Sequence, residues 1–472
     1  MNAIARAGLD AVSVLRQKPA LLLVPASIAV GVLLVMPVPE KVILGIFVAA
    51  PLLMVQVAII RNLFLGVILF LIMEYLQPGH RLPALGEVRL TFLISGSLLL
   101  AWILNLARHR VPISLNWQIK SYLLFGIMGI FSTYNAISIG MAGLVLFQIA
   151  KTLIVFTVMF SVVRSIERLE RLVWLYVILH IILAVIGFGI FATTGKRQFG
   201  DVGGGFLGDE NDSAMALLIM VPYMYFLLPR AKRTLLRLVL LGGMILSSIT
   251  VLFSFSRGAF VGFLAMVLYM WGKSSHKLKV GLALLAGVLI LFAIMPREYW
   301  KRIESTKDYT WEGSAQGRID AWKGGLKMLR DSPIFGCGIG NFSRTYGTRY
   351  NTINTRWTAA HSMYVEFIGQ LGIPGILFLV GTIVITLRTF ARVRRAARRR
   401  AEEEFRSLEG IMLGAECGFV TYLVTTFFLS SLAYPHLWHF GAMAGFGALA
   451  QKRLDAELGP PLGAVHGSPE WT

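Results

Sequence analysis

The sequence predicts an all-α polytopic membrane protein. Of its 472 residues, 56% are hydrophobic and only 15% are charged, whereas roughly 25% are charged in an ordinary soluble domain. The mean hydropathy is +0.69. A soluble fold of this length has too little interior to hide so much apolar surface, so lipid must be the solvent for much of the chain.

Apolar runs of about 17–25 residues are long enough to cross a bilayer as helices. The chain contains fourteen candidate runs, but the second and third are joined by little more than Arg61 and the last is short, so twelve to fourteen spans are predicted. The runs begin near Ala20, Val42, Asn62, Leu90, Ile119, Ala142, Leu172, Ser213, Thr234, Ser256, Val280, Ser362, Gly410 and His436.

The basic residues predict how the chain crosses the membrane. The net charge is +20, and Lys and Arg collect in alternate loops, as they do in the short cytoplasmic loops of membrane proteins. Both termini are therefore predicted to be cytoplasmic. The densest basic stretch is Arg388 to Arg406, and within it the Arg392–Arg400 cluster is interpreted as a cytoplasmic anchor on anionic lipid. Since no recognition module accompanies the charge, nucleic acid is excluded as a partner.

Two predicted outer segments, 193–212 and 296–361, are too polar and too long to be simple turns. Loops of such length usually carry function or short helices of their own. The predicted organisation is a transmembrane bundle at 1–295 that includes the loop 193–212, a large periplasmic loop at 296–361 with short helices, transmembrane helices at 362–451 and a cytoplasmic tail at 452–472.

Within the large loop, the stretch GRIDAWKGGLKMLRDSP has helical spacing. It predicts an amphipathic helix on the outer membrane surface, with Ile319, Trp322, Leu326 and Leu329 on its apolar side. Asp331, Ser332 and Pro333 are expected to end it.

Two charged residues at the outer ends of predicted helices are candidates for chemistry. Arg257, in SFSRGAF, either extends to the lipid headgroups or binds phosphate, because a guanidinium donates two parallel hydrogen bonds. His361 either bonds to the backbone at the interface, which is the commoner case, or accepts a proton from a hydroxyl. Glu366, five residues on, is expected to orient His361 or to pair with an arginine.

Lys151 lies in the middle of an apolar run, LVLFQIAKTLIVF. A lysine at that depth normally has a partner inside the bundle, so a structural ion pair is predicted, with a substrate pathway as the alternative. His436 and His439 are too few ligands for a metal site. No nucleotide-binding or metalloprotease motif is present, and neither a metal nor a cofactor is predicted.

The region from about Ser254 to Phe378 resembles the O-antigen ligase and polymerase superfamily. Four elements that are typical of that family occur in order: the S-R-G of SFSRGAF, the G-R-x-x-x-W segment at Gly317, the glycine-rich GCGIGNF, and the H-S at His361 that opens a long helix. The stretch FLGDENDSAMAL resembles the outer loop that precedes the next span in this family.

The resemblance implies a bacterial inner-membrane enzyme that acts on the periplasmic face. Such a glycosyltransferase takes a glycan from undecaprenyl diphosphate and, as a ligase, delivers it to a sugar hydroxyl of lipid A–core in lipopolysaccharide biosynthesis. It implies that Arg257, Arg318 and Arg197 bind the diphosphate, that His361 is the catalytic base, and that Asp209 and Glu366 support them. Attack from the opposite side of the anomeric carbon would make the reaction inverting.

Three alternatives remain open at the level of the sequence. An O-antigen polymerase and a protein O-glycosylation ligase have the same family motifs. A secondary transporter belongs to another class and would hold its substrate near the middle of the membrane, which Lys151 permits. The long outer loop with its arginines and His361 argues against the transporter, since transport does not require such a loop.

Overall fold

The computed structural model describes residues 53–78, 90–108, 110–112, 114–194, 207, 209–254, 256–274, 313–351, 357–432 and 434–459, with short pieces between 277 and 289. Arg197 and the run predicted to begin at Ala20 lie outside these residues, as do most of the runs predicted at Val42 and Val280. The chain divides into two compact units, Met1–Asn62 and Leu63–Thr472. In the first, residues 53–61 are helical.

The second unit is built of α-helices, which confirms the predicted fold class for the described residues. The helices are α1 (Leu63–Leu76), α2 (Leu90–Ala107), α3 (Trp117–Ser132), α4 (Ile139–Val162), α5 (Ile166–Thr194), α6 (Glu210–Leu227), α7 (Thr234–Phe253), α8 (Arg257–Lys273), α9 (Gly313–Asp331), α10 (Phe342–Thr345), α11 (Met363–Arg398), α12 (Glu403–Thr425) and α13 (His436–Leu458).

Six of the described helices are long and apolar enough to cross a membrane. They are α4, α5, α7, α11, α6 with its extension to Arg230, and α12 with its extension to Phe428. The protein is therefore a multi-pass membrane protein. The total of twelve to fourteen spans stays a prediction, because several predicted runs lie outside the described residues.

Side-chain caps explain where several helices begin. Oγ of Ser256 accepts the N–H of Ala259 at 3.1 Å, and Oδ1 of Asp209 accepts the N–H of Asn211 at 2.7 Å. Each cap satisfies one of the backbone donors that the first helical turn leaves without a partner. The two caps place α8 and α6 at the ends of their apolar runs.

Contacts between the loops divide them between two ends of the bundle. At one end, Tyr434 contacts Asp212 and Asn135 contacts Ser332. We call this the outer-loop end, defined by residues 133–138, 209–212, 254, 256–257, 313–351, 357–362, 426–432 and 434–436. These are the loops that the basic-residue pattern predicts to lie outside, so the helix order agrees with the predicted alternation.

At the other end, Nζ of Lys232 lies 3.3 Å from a carboxylate oxygen of Glu403, and Ser407 donates to Glu170. We call this the basic end, defined by residues 114–118, 162–171, 228–237, 273–274, 277–279, 388–409 and 445–459. A helix such as α11 runs from one end, at Met363, to the other, at Arg398.

In the described part of the bundle, ion pairs connect several helices. Nζ of Lys151 lies 3.8 Å from a carboxylate oxygen of Glu74, so the lysine has the partner inside the bundle that the sequence predicts. Nearer the basic end, Glu416 on α12 lies 2.7 Å from Nζ of Lys273 and 3.1 Å from Nε of Arg394. This carboxylate therefore joins α8, α11 and α12.

Helix α9 confirms the predicted helix and its end at Asp331, and small residues form the side that packs against the protein. Leu326 is 57% exposed, whereas Ala321 and Met328 are buried, together with Gly324 and Gly325. The glycines let α9 approach Tyr346 and Val365 so closely that any added Cβ would collide with those side chains. Close approach of the backbone therefore determines which face of α9 packs against the protein, and the apolar face toward the membrane surface stays a prediction.

Candidate active site at the outer-loop end

The hydrogen bond of Trp322 positions α9 over the beginning of α11. Its indole N–H donates to the carbonyl oxygen of Ala360 at 2.9 Å, and its ring meets that of Phe427 edge-on, with centroids 5.4 Å apart. Arg318 lies four residues earlier on the same helix, and residues at this spacing share a helix face. Because Trp322 binds the carbonyl of Ala360, the spacing R-x-x-x-W also places Arg318 near Ala360, the residue before His361.

His361 lies between charges from two distant parts of the chain. Burial lowers the pKa of its imidazole below the usual value; the positive charge of Arg318 lowers it further, and the carboxylate of Asp209 acts in the opposite direction. The ring therefore stays neutral near pH 7 and retains a lone pair with which to accept a proton. Among the described residues, no hydrogen bond to the imidazole ring is formed.

The backbone of His361 is held in an unusual conformation. Its φ is +49°, a left-handed value that costs a non-glycine residue about 1–2 kcal/mol. Its N–H donates to Oγ of Ser430 at 2.9 Å. Strained backbone persists where the surroundings determine it and occurs often at functional sites.

Glu366 supports His361 through a loop rather than by touching its ring. Its carboxylate is buried and accepts the backbone N–H of Leu432 at 3.1 Å. Leu432 follows Ser430, the residue that binds the His361 N–H, by two positions. Glu366 therefore fixes the loop that fixes His361, which differs from the expected direct contact with the histidine or with an arginine.

A second carboxylate holds the other end of the same loop. The Tyr434 hydroxyl donates to Oδ2 of Asp212 at 2.6 Å, and burial and this carboxylate raise the pKa of Tyr434. The Tyr434 hydroxyl therefore stays protonated and keeps its hydrogen bond to Asp212. This pair connects the loop to the first turn of α6, next to the Asp209 that acts on His361.

Arg257 lies at the first position of α8, half-buried at the same end of the bundle. A Cβ added at the neighbouring Gly258 would come within 2.8 Å of Cβ of Phe428. Phe428 belongs to the segment that carries Ser430 two residues later. Arg257 therefore flanks the loop that supports His361, and its role in binding diphosphate stays a prediction.

The glycine-rich element GCGIGNF has a structural part in the site. Gly336 has φ +62° and lies against the backbone of Gln370, where a Cβ would collide. The N–H of Cys337 donates to the carbonyl of Gly369 at 2.8 Å, and that of Ile373 donates to Pro333 at 2.7 Å. Glycine is needed where backbone approaches backbone in a left-handed conformation. These backbone hydrogen bonds hold the segment that follows α9, from Pro333 to Cys337, against α11.

The structure thus brings Arg318, Asp209 and His361 together and places Arg257 and Glu366 around the same loop. Arg197 lies outside the described residues. Ser430 and Tyr434 were not among the predicted site residues, because their partners are 69 and 222 positions away. The sequence signal that singles out this loop is a polar stretch, SSLAYPH, between two apolar helices.

Comparison with known proteins extends these observations. No curated protein matches the chain. A family model described as "O-Antigen ligase" matches residues 242–380, a region that contains Arg257, Arg318, His361 and Glu366. The four ordered motifs and this match agree on the same region, so residues 242–380 of this membrane protein are similar to the O-antigen ligase family.

Proposed function

We propose that this protein transfers a glycan from undecaprenyl diphosphate to a sugar hydroxyl of lipid A–core on the periplasmic face of a bacterial inner membrane. The observation that carries the proposal is the neutral His361 between Arg318 and Asp209 at the outer-loop end, inside the region that matches the O-antigen ligase family. The basic end would then be cytoplasmic, as the distribution of Lys and Arg predicts.

In the proposed reaction His361 is the general base. Its neutral imidazole accepts the proton of the acceptor hydroxyl as the oxygen attacks the anomeric carbon. The bond between that carbon and the diphosphate oxygen breaks, and the electron pair stays with the diphosphate. Attack from the side opposite the leaving group inverts the anomeric centre.

Arg318 would bind the leaving diphosphate, together with Arg257 and Arg197. Negative charge grows on the phosphate oxygens as the glycosyl bond breaks, and fixed cations that stabilise this charge lower the barrier. Arg318 has a second effect, since its charge also keeps His361 unprotonated. One arginine would therefore prepare both the base and the leaving-group site.

The reaction is tested with purified full-length protein in lipid nanodiscs, given a labelled undecaprenyl-diphosphate glycan and lipid A–core. Transfer should occur in the wild type and should fall by about 100-fold or more in His361→Ala, as for loss of a general base. Arg318→Gln and Arg257→Gln should also lose transfer. Arg330→Gln is the matched control, because Arg330 is 78% exposed at the far end of the same helix.

Each variant is first shown to be folded by its thermal unfolding midpoint in detergent. A wild-type protein that transfers nothing, or a folded His361→Ala variant with full activity, contradicts the proposed mechanism. Deleting the gene in its host identifies the acceptor. Loss of long lipopolysaccharide chains with accumulation of lipid-linked polymer supports a ligase. Loss of the polymer itself would indicate a polymerase, and unchanged lipopolysaccharide with altered glycoproteins a protein ligase.

A further inference from the structure

A cavity of about 460 Å³ lies at the basic end of the bundle, at the opposite end of the helices from His361. It opens where the beginning of α3 meets the later turns of α11 and α13. Its polar lining includes Asn116, Gln118, Arg392, Lys452 and Asp455. The proposed transfer reaction uses none of these residues.

The charges around this cavity suit a ligand that carries both a negative and a positive group. Arg392 and Lys452 have no carboxylate within ion-pair distance in the described part of the chain. Asp455 accepts a hydrogen bond from Nε2 of Gln451 at 3.3 Å and is likewise without a cation partner there. Two cations and one carboxylate leave one net positive charge.

Asn116 adds a hydrogen-bond donor that the protein does not use. Its Oδ1 accepts the N–H of Ile119 at 3.2 Å and so caps α3. Its Nδ2 is buried and has no hydrogen-bond partner among the described residues. A buried amide donor without a partner costs about 1–3 kcal/mol, and an acceptor oxygen in the cavity would remove that cost. The N-terminus of α3, with its partial positive charge, favours a negative group at this position.

Beside the cavity lies a narrow apolar crevice between α3, α4, α11 and α13, with a free volume of about 10 Å³. Trp117 and Gln118 line both spaces. The crevice is too small for an acyl chain, so a lipid bound here would keep its chains in the surrounding bilayer. Tryptophan is also the residue that membrane proteins place at the level of the lipid headgroups.

We propose that this cavity binds the headgroup of a phosphoglycerolipid with a primary amine, of the phosphatidylethanolamine type, from the leaflet at the basic end. The lipid phosphate is held by Arg392, Lys452 and the Asn116 amide, and the headgroup amine by Asp455. The acyl chains stay in the bilayer, with Trp117 at the level of the headgroup. The binding site is separate from the transfer reaction and does not depend on its outcome.

Lipid binding is measured by native mass spectrometry on the delipidated full chain in mild detergent. The probes are phosphatidylethanolamine, phosphatidylglycerol with the same acyl chains, and inorganic phosphate. We expect one molecule of phosphatidylethanolamine to be retained in preference to phosphatidylglycerol. Equal or stronger retention of phosphatidylglycerol overturns the amine assignment. If inorganic phosphate raises the unfolding temperature as much as the lipid does, the assignment to a lipid is overturned.

The double variant Arg392→Gln/Lys452→Gln should bind phosphatidylethanolamine at least tenfold more weakly. Its control is Arg388→Gln/Arg399→Gln, which removes the same charge from two exposed arginines at the same end that do not line the cavity. Equal losses in the two double variants would show a general charge effect and overturn the site. Asp455→Asn should keep lipid binding but lose the preference for ethanolamine over glycerol, and an unchanged preference would contradict the role of Asp455.

Discussion

The indole N–H of Trp322 donates a 2.9 Å hydrogen bond to the carbonyl oxygen of Ala360, the residue before His361. This bond joins the helix that carries Arg318 to the strained backbone that carries His361. This bond is therefore one of the contacts that fix the residue proposed to bind the leaving group relative to the residue proposed to accept the proton.

Replacing Trp322 with Phe should remove this hydrogen bond and keep the aromatic contact with Phe427. Stability should fall by only about 1 kcal/mol, the usual net value of one hydrogen bond. Transfer should fall by up to about 100-fold, because a displacement of about 1 Å between reacting groups has that effect. Trp357→Phe is the control, since Trp357 is 60% exposed in the same segment.

The stability of each variant is measured by thermal unfolding, and its transfer activity by initial rates at saturating donor. Equal activity in Trp322→Phe and Trp357→Phe would mean that the bond to Ala360 does not position the site.

The two charges near His361 shift its pKa in opposite directions, so removing one or the other should change the pH dependence of transfer in opposite ways. Arg318 lowers the pKa of His361 and Asp209 raises it. Transfer needs the neutral imidazole, so activity is complete above the pKa and is lost as the pH falls through it. Arg318→Gln should raise the pKa and move the acid limb of the profile to higher pH, whereas Asp209→Asn should move it to lower pH.

The midpoint is obtained from residual transfer rates measured across the acid range, and independently from the pH titration of the His361 ring by NMR. Asp320→Asn is the control and should leave the midpoint where it is, since Asp320 does not act on His361. Shifts of the same sign in Arg318→Gln and Asp209→Asn would contradict the arrangement of charges.

Helix positions could be predicted from sequence because their signals are local. The run predicted to begin near Thr234 does begin at Thr234, and the run predicted near Ser256 is capped by Ser256 itself. An apolar run and the hydroxyl residue that caps it are only a few residues apart along the chain. The same local signals correctly ended α9 at Asp331.

The site could be predicted only in part because its contacts are not local. Arg318 and His361 were found through family motifs, but the loop that supports His361 depends on pairs such as Tyr434 with Asp212, 222 positions apart. The side of α9 that packs against the protein could not be predicted for a similar reason. Nothing in the spacing of Ile319 and Leu326 reveals that Gly324 and Gly325 approach α10 and α11.

The pair of Lys151 and Glu74 distinguishes an enzyme from a transporter. If the pair is structural, Glu74→Gln should destabilise the protein by about 2 kcal/mol, below the ~3–5 kcal/mol of a fully buried pair, because Lys151 is 30% exposed. The double variant Lys151→Met/Glu74→Gln should regain part of this stability, since it leaves no charge unpaired. Glycan transfer should continue in the double variant once it is folded.

Stability is measured by thermal unfolding in detergent and transfer in nanodiscs. A stable double variant without transfer would place Lys151 on a substrate pathway and favour the transporter alternative.

Glu416 should be the most costly single carboxylate to neutralise at the basic end. Its side chain is 5% exposed and lies 2.7 Å from Nζ of Lys273 and 3.1 Å from Nε of Arg394, and the Tyr269 hydroxyl donates to it at 2.7 Å. Glu416→Gln leaves two cations without their counter-charge, which should cost about 3 kcal/mol, the lower end for a buried pair, because Lys273 is 28% and Arg394 16% exposed. Glu409→Gln is the control, because the partner of Glu409, Arg398, is 70% exposed and such pairs contribute about 0–1 kcal/mol.

The thermal unfolding midpoint should fall clearly in Glu416→Gln and hardly at all in Glu409→Gln. Because Glu416 lies toward the basic end of α12, away from His361, the transfer rate of the folded Glu416→Gln protein should remain near the wild-type value. Equal unfolding midpoints in the two variants would show that Glu416 does not hold α8, α11 and α12 together.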